Sequence, residues 1–354
     1  MKWIIPISCA LFAGISIVTL RSIMPDLMQR QLLYFVIGFF LFGLINLLSY
    51  QKLLKVSGVL YFFLIFSLLM LLLIGSATRS TMRWIDLFGG FKVQPSQFAP
   101  LIISLFIANH WQEVENRGWK GLVKFLSIIM LPVGLIFLQP DFGTSMVLFV
   151  SVLSLLIFIK ISKKQLFTLI GVGLLVMIGV WGMLFKPYQR ARITSFFIGN
   201  ESEVTSSYNS RQALIAVGSG GLYGRGLGAG VQSHLKFLPE RQTDFVFASM
   251  AEEWGFVGSC LIILLYSLLL FILLHYLFVC NDDSVKAVIL ILVMSLFLQI
   301  TINIGMNMGL LPITGLTLPL LSYGGSSVIS FLLHFGVVFK IINQQQPRAK
   351  LRIC

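Results

Sequence analysis

This 354-residue chain is poor in charge, and poorest in acid: 13 Asp and Glu stand against 26 Lys and Arg, and charged residues make up 11% of the total. A soluble globular domain carries about 25%. With 57% hydrophobic residues and a mean hydropathy of +0.92, the chain is excluded from that class. It reads as an all-α polytopic membrane protein, one integral membrane domain over residues 1–354. Cysteine is scarce as well. Cys9, Cys260, Cys280 and Cys354 show no paired spacing and no CxxC, which argues against a disulfide framework and a thiolate metal site. The four histidines, His110, His234, His275 and His334, never fall at a metal-ligand spacing. No basic run is long enough for a nucleic-acid patch, so the net charge of +13 is assigned to loops beside anionic lipid, with no nucleic-acid partner. The N-terminal stretch MKWIIPISCALFAGISIVTL resembles a signal peptide but lacks a small-residue cleavage site, and is read as a retained first helix.

What the chain does have is long apolar runs. A hydrocarbon core of about 30 Å takes roughly 20 apolar residues as helix. Nine runs are clear, at 3–20, 32–48, 56–74, 122–138, 142–159, 166–185, 256–279, 285–304 and 328–342. A tenth, 98–111, is short and carries Pro100, but without it the charged 111–121 segment changes sides. Ten spans put both termini on one face. Fourteen Lys and Arg lie in short segments of that face against five opposite, so the positive-inside rule makes the termini cytoplasmic. Two helix starts agree with these spans: Ser162 with Gln165 fits a capping box, and Asp282, Asp283 and Ser284 suit a helix N-terminus.

Two segments break the pattern. Residues 186–255, between spans 7 and 8, exceed by far the roughly 15 residues a structureless loop usually reaches. Their apolar stretches QALIAVG, HLKFLP and DFVFASM predict short helices on, or dipping into, the outer face. Residues 305–325, between spans 9 and 10, carry Pro312, Pro319, Gly324 and Gly325 in an apolar context. Non-helical backbone at membrane depth persists only where protein or a wet cavity satisfies it, so this segment is expected to border a cavity open to the outside.

So few acids can be sorted one by one. Glu113, Glu115, Asp282 and Asp283 fall in short cytoplasmic loops and read as solvated charges. Asp244 stands apart, in LPERQTDFVFASMAEEWG, beside Phe245 and Phe247 just ahead of a span. Two readings stay open for it: a general base at the membrane surface, or a helix N-cap or ion-pair partner of Arg241. The long loop also holds Lys186, Arg190, Arg192, Arg211, Arg225, Lys236 and Arg241. Guanidinium forks match phosphate oxygens, so these cations suit either a diphosphate or lipid headgroups. GRGLGA, within GSGGLYGRGLGAG, fits a dinucleotide fingerprint as a string, but no strand precedes it and it reads as tight turns at the membrane surface. The triplet Asn200, Glu201, Ser202 is a chance match to a glycosylation acceptor. Asn46, Gln299, Thr301, Asn303 and Asn307 inside spans read as interhelical glue.

Four segments, MRWIDLFGGFKVQPSQFA, QPDFGTS, the stretch from GSGGLYGRGLGAG through LPERQTDFVFASMAEEWGFVG, and LPITGLTLPLLSYGGSS, together resemble the SEDS family (shape, elongation, division, sporulation). These are the membrane glycosyltransferases that include RodA and FtsW. The resemblance covers about residues 75–335, and ERQTDF leans to the RodA branch while GLTLPLLSYGG leans to FtsW. It implies ten spans in the plasma membrane and polymerisation of lipid II on the outer face into β-1,4-linked glycan, with release of undecaprenyl diphosphate, for cell elongation and shape. It also implies a divalent cation (Mg²⁺ or Mn²⁺) and a class B penicillin-binding protein, a transpeptidase, as partner. The family's essential aspartate falls on Asp244, the proposed general base; Arg190, Arg192, Arg211, Lys236 and Arg241 would serve the diphosphate. One motif departs: the family's Glu and Lys of QPSE-x-x-K are here Gln97 and Pro100. Losing both charges is milder than losing one, since no unpaired buried charge remains. Two other classes compete, a lipid-linked sugar flippase or transporter and a catalytically weak scaffold for the crosslinking partner.

Overall fold

The computed structural model describes residues 1–74, 83–86, 91–115, 118–159, 161–179 and 204–350, without the side chains of 74, 176–178, 204–207 and 345–350. Helix α1 (Ile4–Ile23) ends just before Pro25, which opens α2 (Pro25–Leu47) where a missing N–H costs nothing. After α3 (Tyr50–Ile74), a two-residue ribbon pairs β1 (Ile85–Asp86) with β2 (Lys92–Val93), Ile85 opposite Val93. A 3₁₀ turn (Pro95–Phe98) leads into α4 (Ala99–Asn109), followed by α5 (Trp111–Glu115) and α6 (Trp119–Leu138). Helix α7 (Phe142–Leu153) starts at Asp141, whose carboxylate accepts from the Thr144 amide, and runs into a 3₁₀ turn (Ser154–Ile157). The capping box forms at α8 (Lys163–Gly179): the Ser162 amide donates to Gln165 Oε1 at 2.7 Å and the Gln165 amide to Ser162 Oγ at 3.3 Å. Then come α9 (Val204–Ser219), α10 (Val231–His234), α11 (Val246–Val279), α12 (Asp283–Asn307) and α13 (Gly325–Lys350). Asp282 caps α12 through the Ser284 amide at 2.9 Å, as its sequence predicts.

Each of the ten expected runs falls on a helix. Seven helices among the described residues are long and apolar enough to cross a membrane: α1, α2, α3, α6, α11, α12 and α13. The runs at 98–111 and 142–159 appear as shorter apolar helices, Pro95–Asn109 and Phe142–Ile157. The chain is thus a multi-pass helical membrane protein. The run at 166–185 is described as α8 through Gly179; its remainder, Lys186, the loop to residue 203 with Arg190 and Arg192, the Asn200 triplet and Cys354 lie outside the described residues. Helices α12 and α13 form the interior. Val288, Ile289, Ile291, Leu292 and Leu296 of α12 are all fully or nearly fully buried, so this helix is apolar all round as an interior helix should be.

Between α12 and α13 the chain is non-helical from 308 to 324, and protein side chains satisfy its backbone. Asn303 Nδ2 donates to the Leu316 carbonyl at 2.7 Å, Tyr266 Oη to that of Pro319 at 2.5 Å and Ser16 Oγ to that of Leu321 at 2.9 Å. Gln31 serves both ends of one peptide neighbourhood, donating to the Ser322 carbonyl at 3.2 Å and accepting from the Gly324 amide at 3.3 Å. Unpaired backbone groups in hydrocarbon cost several kcal/mol each. Five polar side chains from α1, α2, α11, α12 and the segment's own Ser322, which accepts from the Leu318 amide at 2.8 Å, remove that cost at six of its backbone groups.

Candidate active site

The segment just described holds the Asp244 turn. Ser322 Oγ donates to the Thr243 carbonyl at 2.6 Å, and the Tyr323 amide donates to the Gln242 carbonyl at 2.8 Å. From the other side Asn303 Nδ2 and Asn307 Nδ2 both donate to the Asp244 carbonyl, each at 3.0 Å. The turn closes on Glu240, at φ 52, whose carbonyl accepts from the Thr243 and Phe245 amides at 3.0 and 3.2 Å. Asp244 itself is half-buried, and a Cβ placed on Gly315 would stand 3.7 Å from its Oδ2. Gly315 has φ +75, a conformation that favours glycine, so the backbone facing the carboxylate carries no side chain. Asp244 is not the cap of α11. Phe245 holds the N-cap position without a side-chain bond, and the Ala248 amide goes to Asn307 Oδ1 at 3.0 Å.

Arg241 shares this turn. It is 8% exposed, its Nε is buried without a hydrogen-bond partner, and burial lowers its pKa from the ordinary value. A guanidinium stays charged nonetheless. Phe245 packs with Ala213 and Ala216 of α9, with Leu238 and with Ala248, which ties α9 and the 235–239 stretch to the Asp244 turn. Arg211 on α9 and Lys236, at φ 62, are exposed cations on those two pieces. Arg190 and Arg192 lie outside the described residues.

The glycine-rich stretch does more than turn at a surface. Helix α11 is interrupted at Gly255 (φ 70, ψ −165), which leaves carbonyls before it and amides after it without helical partners. The loop supplies them. The Arg225 and Gly226 amides donate to the Glu252 and Glu253 carbonyls, each at 3.0 Å, while the Phe256 and Val257 amides donate to Gly221 and Leu222 at 2.9 and 3.1 Å. A Cβ at Gly224 would lie 2.1 Å from the Glu253 carbonyl oxygen, and one at Gly255 would lie 2.2 Å from the Gly224 amide nitrogen. No larger residue fits either position.

Two acids that sequence reasoning passed over sit under this loop. Glu252 is fully buried and accepts from the Gln232 amide at 2.8 Å, the Ser233 amide at 3.1 Å and Ser233 Oγ at 2.7 Å, capping α10 from another helix. Glu253 Oε1 accepts from Ser22 Oγ at 2.5 Å and the Gly228 amide at 3.2 Å, and lies 3.1 Å from His234 Nε2. An adjacent acid pair directly ahead of a long apolar run, in a chain with 13 acids, was the available signal.

A second polar group surrounds Asp141, which is 3% exposed. Arg83 Nη1 lies 3.3 Å from its Oδ1, Gln94 Nε2 donates to its Oδ2 at 2.8 Å, and Gln97 Nε2 reaches Gln94 Oε1 at 3.5 Å. The altered family position Gln97 thus joins a neutral chain of amides ending on a carboxylate. Pro100 occupies the first turn of α4, where it removes no helical hydrogen bond. The 314–316 backbone connects the two groups: a Cβ on Gly143, two residues after Asp141, would meet the Thr314 carbonyl at 3.1 Å, and Gly315 faces Asp244.

Known proteins are similar to this chain over most of its length. Over 322 residues the chain is 33% identical to the probable peptidoglycan glycosyltransferase FtsW of Wigglesworthia glossinidia brevipalpis, covering 88% of this chain and 82% of that one. It is 35% identical over 281 residues to the peptidoglycan glycosyltransferase MrdB of Escherichia coli K12, covering 78% and 75%. A chain from a solved peptidoglycan synthase complex that coordinates polymerization and crosslinking superposes with a TM-score of 0.82 at 28% identity, covering 97% of this chain and 98% of that one. The FtsW/RodA/SpoVE cell cycle protein profile matches residues 7–347, and with it the helices, the Asp244 turn and the segment that holds it: the chain belongs to that family.

Proposed function

We propose that this chain is a peptidoglycan glycosyltransferase that polymerises lipid II into β-1,4-linked glycan, with Asp244 as the general base. The observation that carries this reading is the Asp244 turn, anchored through its backbone by α12 and the 308–324 segment, with a side-chain-free stretch at Gly315 facing the carboxylate. In the reaction the acceptor sugar's 4-hydroxyl gives its proton to the Asp244 carboxylate as its oxygen attacks the donor's anomeric carbon. The carbon–oxygen bond to the diphosphate breaks, and undecaprenyl diphosphate leaves with the electron pair. General-base assistance of this kind is worth about 10²–10⁴-fold. The leaving group is an anion, and the buried Arg241 guanidinium, with an Nε lacking any protein partner, supports a role in binding it. Arg211 and Lys236, with Arg190 and Arg192, are the further cations of this reading.

Among the described residues no three His, Cys, Asp or Glu side chains converge into a metal cage. Mg²⁺ and Mn²⁺ do not require one, because such ions keep water and bind through one or two carboxylates plus substrate phosphates. Such an ion would be held chiefly by the substrate's phosphates and water, and would supply charge neutralisation at the diphosphate. The same reading places ten spans in the plasma membrane, both termini in the cytoplasm, and residues 186–255 and 305–325 on the outer face. Likeness to a chain of a peptidoglycan synthase complex supports a class B penicillin-binding protein as partner. ERQTDF supports the RodA branch and a role in elongation.

The test is lipid II polymerisation by the purified full chain, alone and with its transpeptidase partner. Wild type is expected to make glycan polymer and Asp244→Ala none, at equal expression. Translocation of lipid II in sealed vesicles without polymer would favour a flippase, and complex formation without turnover would favour a scaffold.

A further inference from the structure

We propose that Asn303 and Asn307 are positioning residues for this reaction: they set where the Asp244 carboxylate stands relative to the backbone that faces it. The inference rests on Asp244 being the base. Both carboxamides are fully buried, one helical turn apart at the end of α12, and 59 and 63 residues from the carbonyl they share. A carbonyl oxygen has two lone pairs. At Asp244 each is met by a side-chain N–H, which fixes the peptide plane between Asp244 and Phe245 and with it the direction of the Asp244 side chain.

Asn303 makes a second bond, from Nδ2 to the Leu316 carbonyl at 2.7 Å. Leu316 follows Gly315, the residue opposite Asp244 Oδ2. One amide group therefore spans from the acid's own backbone to the segment across from its carboxylate, and holds the two at a set separation. Asn307 locks Asn303 in turn: its Nδ2 donates to the Asn303 carbonyl at 2.7 Å and lies 3.3 Å from Asn303 Oδ1. Displacement of a catalytic group by about 1 Å can cost about 10²-fold in rate.

The competing account is purely structural, because Asn307 Oδ1 also receives the Ala248 amide and so caps α11. Asn307→Asp separates the two roles. Asp is as good a cap acceptor as Asn, but it sets a carboxylate oxygen where Nδ2 now donates to the Asp244 and Asn303 carbonyls. Asn303→Ala removes the spacer and leaves the cap untouched. For both variants, with Asp244→Asn as control, lipid II polymerisation is measured as kcat and KM alongside thermal unfolding. Positioning predicts a fall in kcat of at least about tenfold per folded molecule, with KM within about twofold of wild type; both variants also unfold at lower temperature, because Asn303→Ala leaves the Leu316 carbonyl without its donor and Asn307→Asp turns an acceptor toward two carbonyls. Wild-type kcat in either folded variant overturns the inference, as does a rise in KM alone or a loss of activity that only tracks unfolding in both. Wild-type turnover by Asp244→Asn would instead overturn the assignment of the base.

Discussion

Asp244 and Glu252 stand eight residues apart, and the fold holds them by opposite ends. Glu252 is gripped by its carboxylate: two amides and a hydroxyl of α10 take its oxygens, and none of it reaches solvent. Asp244 is gripped by its backbone, with two asparagines on its carbonyl and its half-buried carboxylate set beside a glycine. An acid whose oxygens are spent on helix amides is a strut. On the general-base reading, the clamp on the Asp244 main chain sets where its carboxylate stands.

Five substitutions can break or sharpen that contrast. Asp244→Asn should lower lipid II polymerisation by about 10²–10⁴-fold, the range for a general base, while thermal unfolding in detergent stays within about 2 °C of wild type. Glu252→Ala should do the reverse. It leaves two buried amides and a hydroxyl without acceptors and should cost about 2–5 kcal/mol of stability, read as a large drop in unfolding temperature. Asp141→Ala removes the carboxylate from Arg83, whose side chain is 21% exposed, and should cost about 1–3 kcal/mol, less than breaking a fully buried pair. Asp141→Asn should be milder, since its Oδ1 still accepts. Smallest is Gln97→Glu. The amide chain from Gln97 through Gln94 to Asp141 is complete as it stands, so polymerisation should stay within about twofold of wild type. A clear rise would mean the site lacks a carboxylate that its relatives' motif provides.

Much of the fold was legible because local chemistry determined it. Apolar runs located the helices, and Ser162, Gln165 and Asp282 marked two starts, each through atoms no more than three residues apart. Asp244 and Arg241 were legible as a motif. What stayed hidden depended on distant partners. Asn303 and Asn307 look like interhelical glue in the sequence, since nothing there reveals that their partner is a backbone carbonyl 59 and 63 residues away. Gly224 was legible within a turn-forming stretch, but its contact with Gly255 follows from a break in α11 that no local pattern announces. Glu252 and Glu253 resemble loop charges until α10 is folded over them. At the two altered family positions, which partners replace the charges is also visible only in the fold: Gln97 joins an amide chain and Pro100 lies in the first turn of a helix.

The most direct test is polymer formed per folded molecule, measured on purified Asp244→Asn and Glu252→Ala side by side with wild type. Folded Glu252→Ala is expected to polymerise lipid II near the wild-type rate, whereas Asp244→Asn, fully folded, is expected to be at least about a hundredfold slower. Polymer at the wild-type rate from Asp244→Asn, or loss of activity in folded Glu252→Ala equal to that of Asp244→Asn, would contradict it.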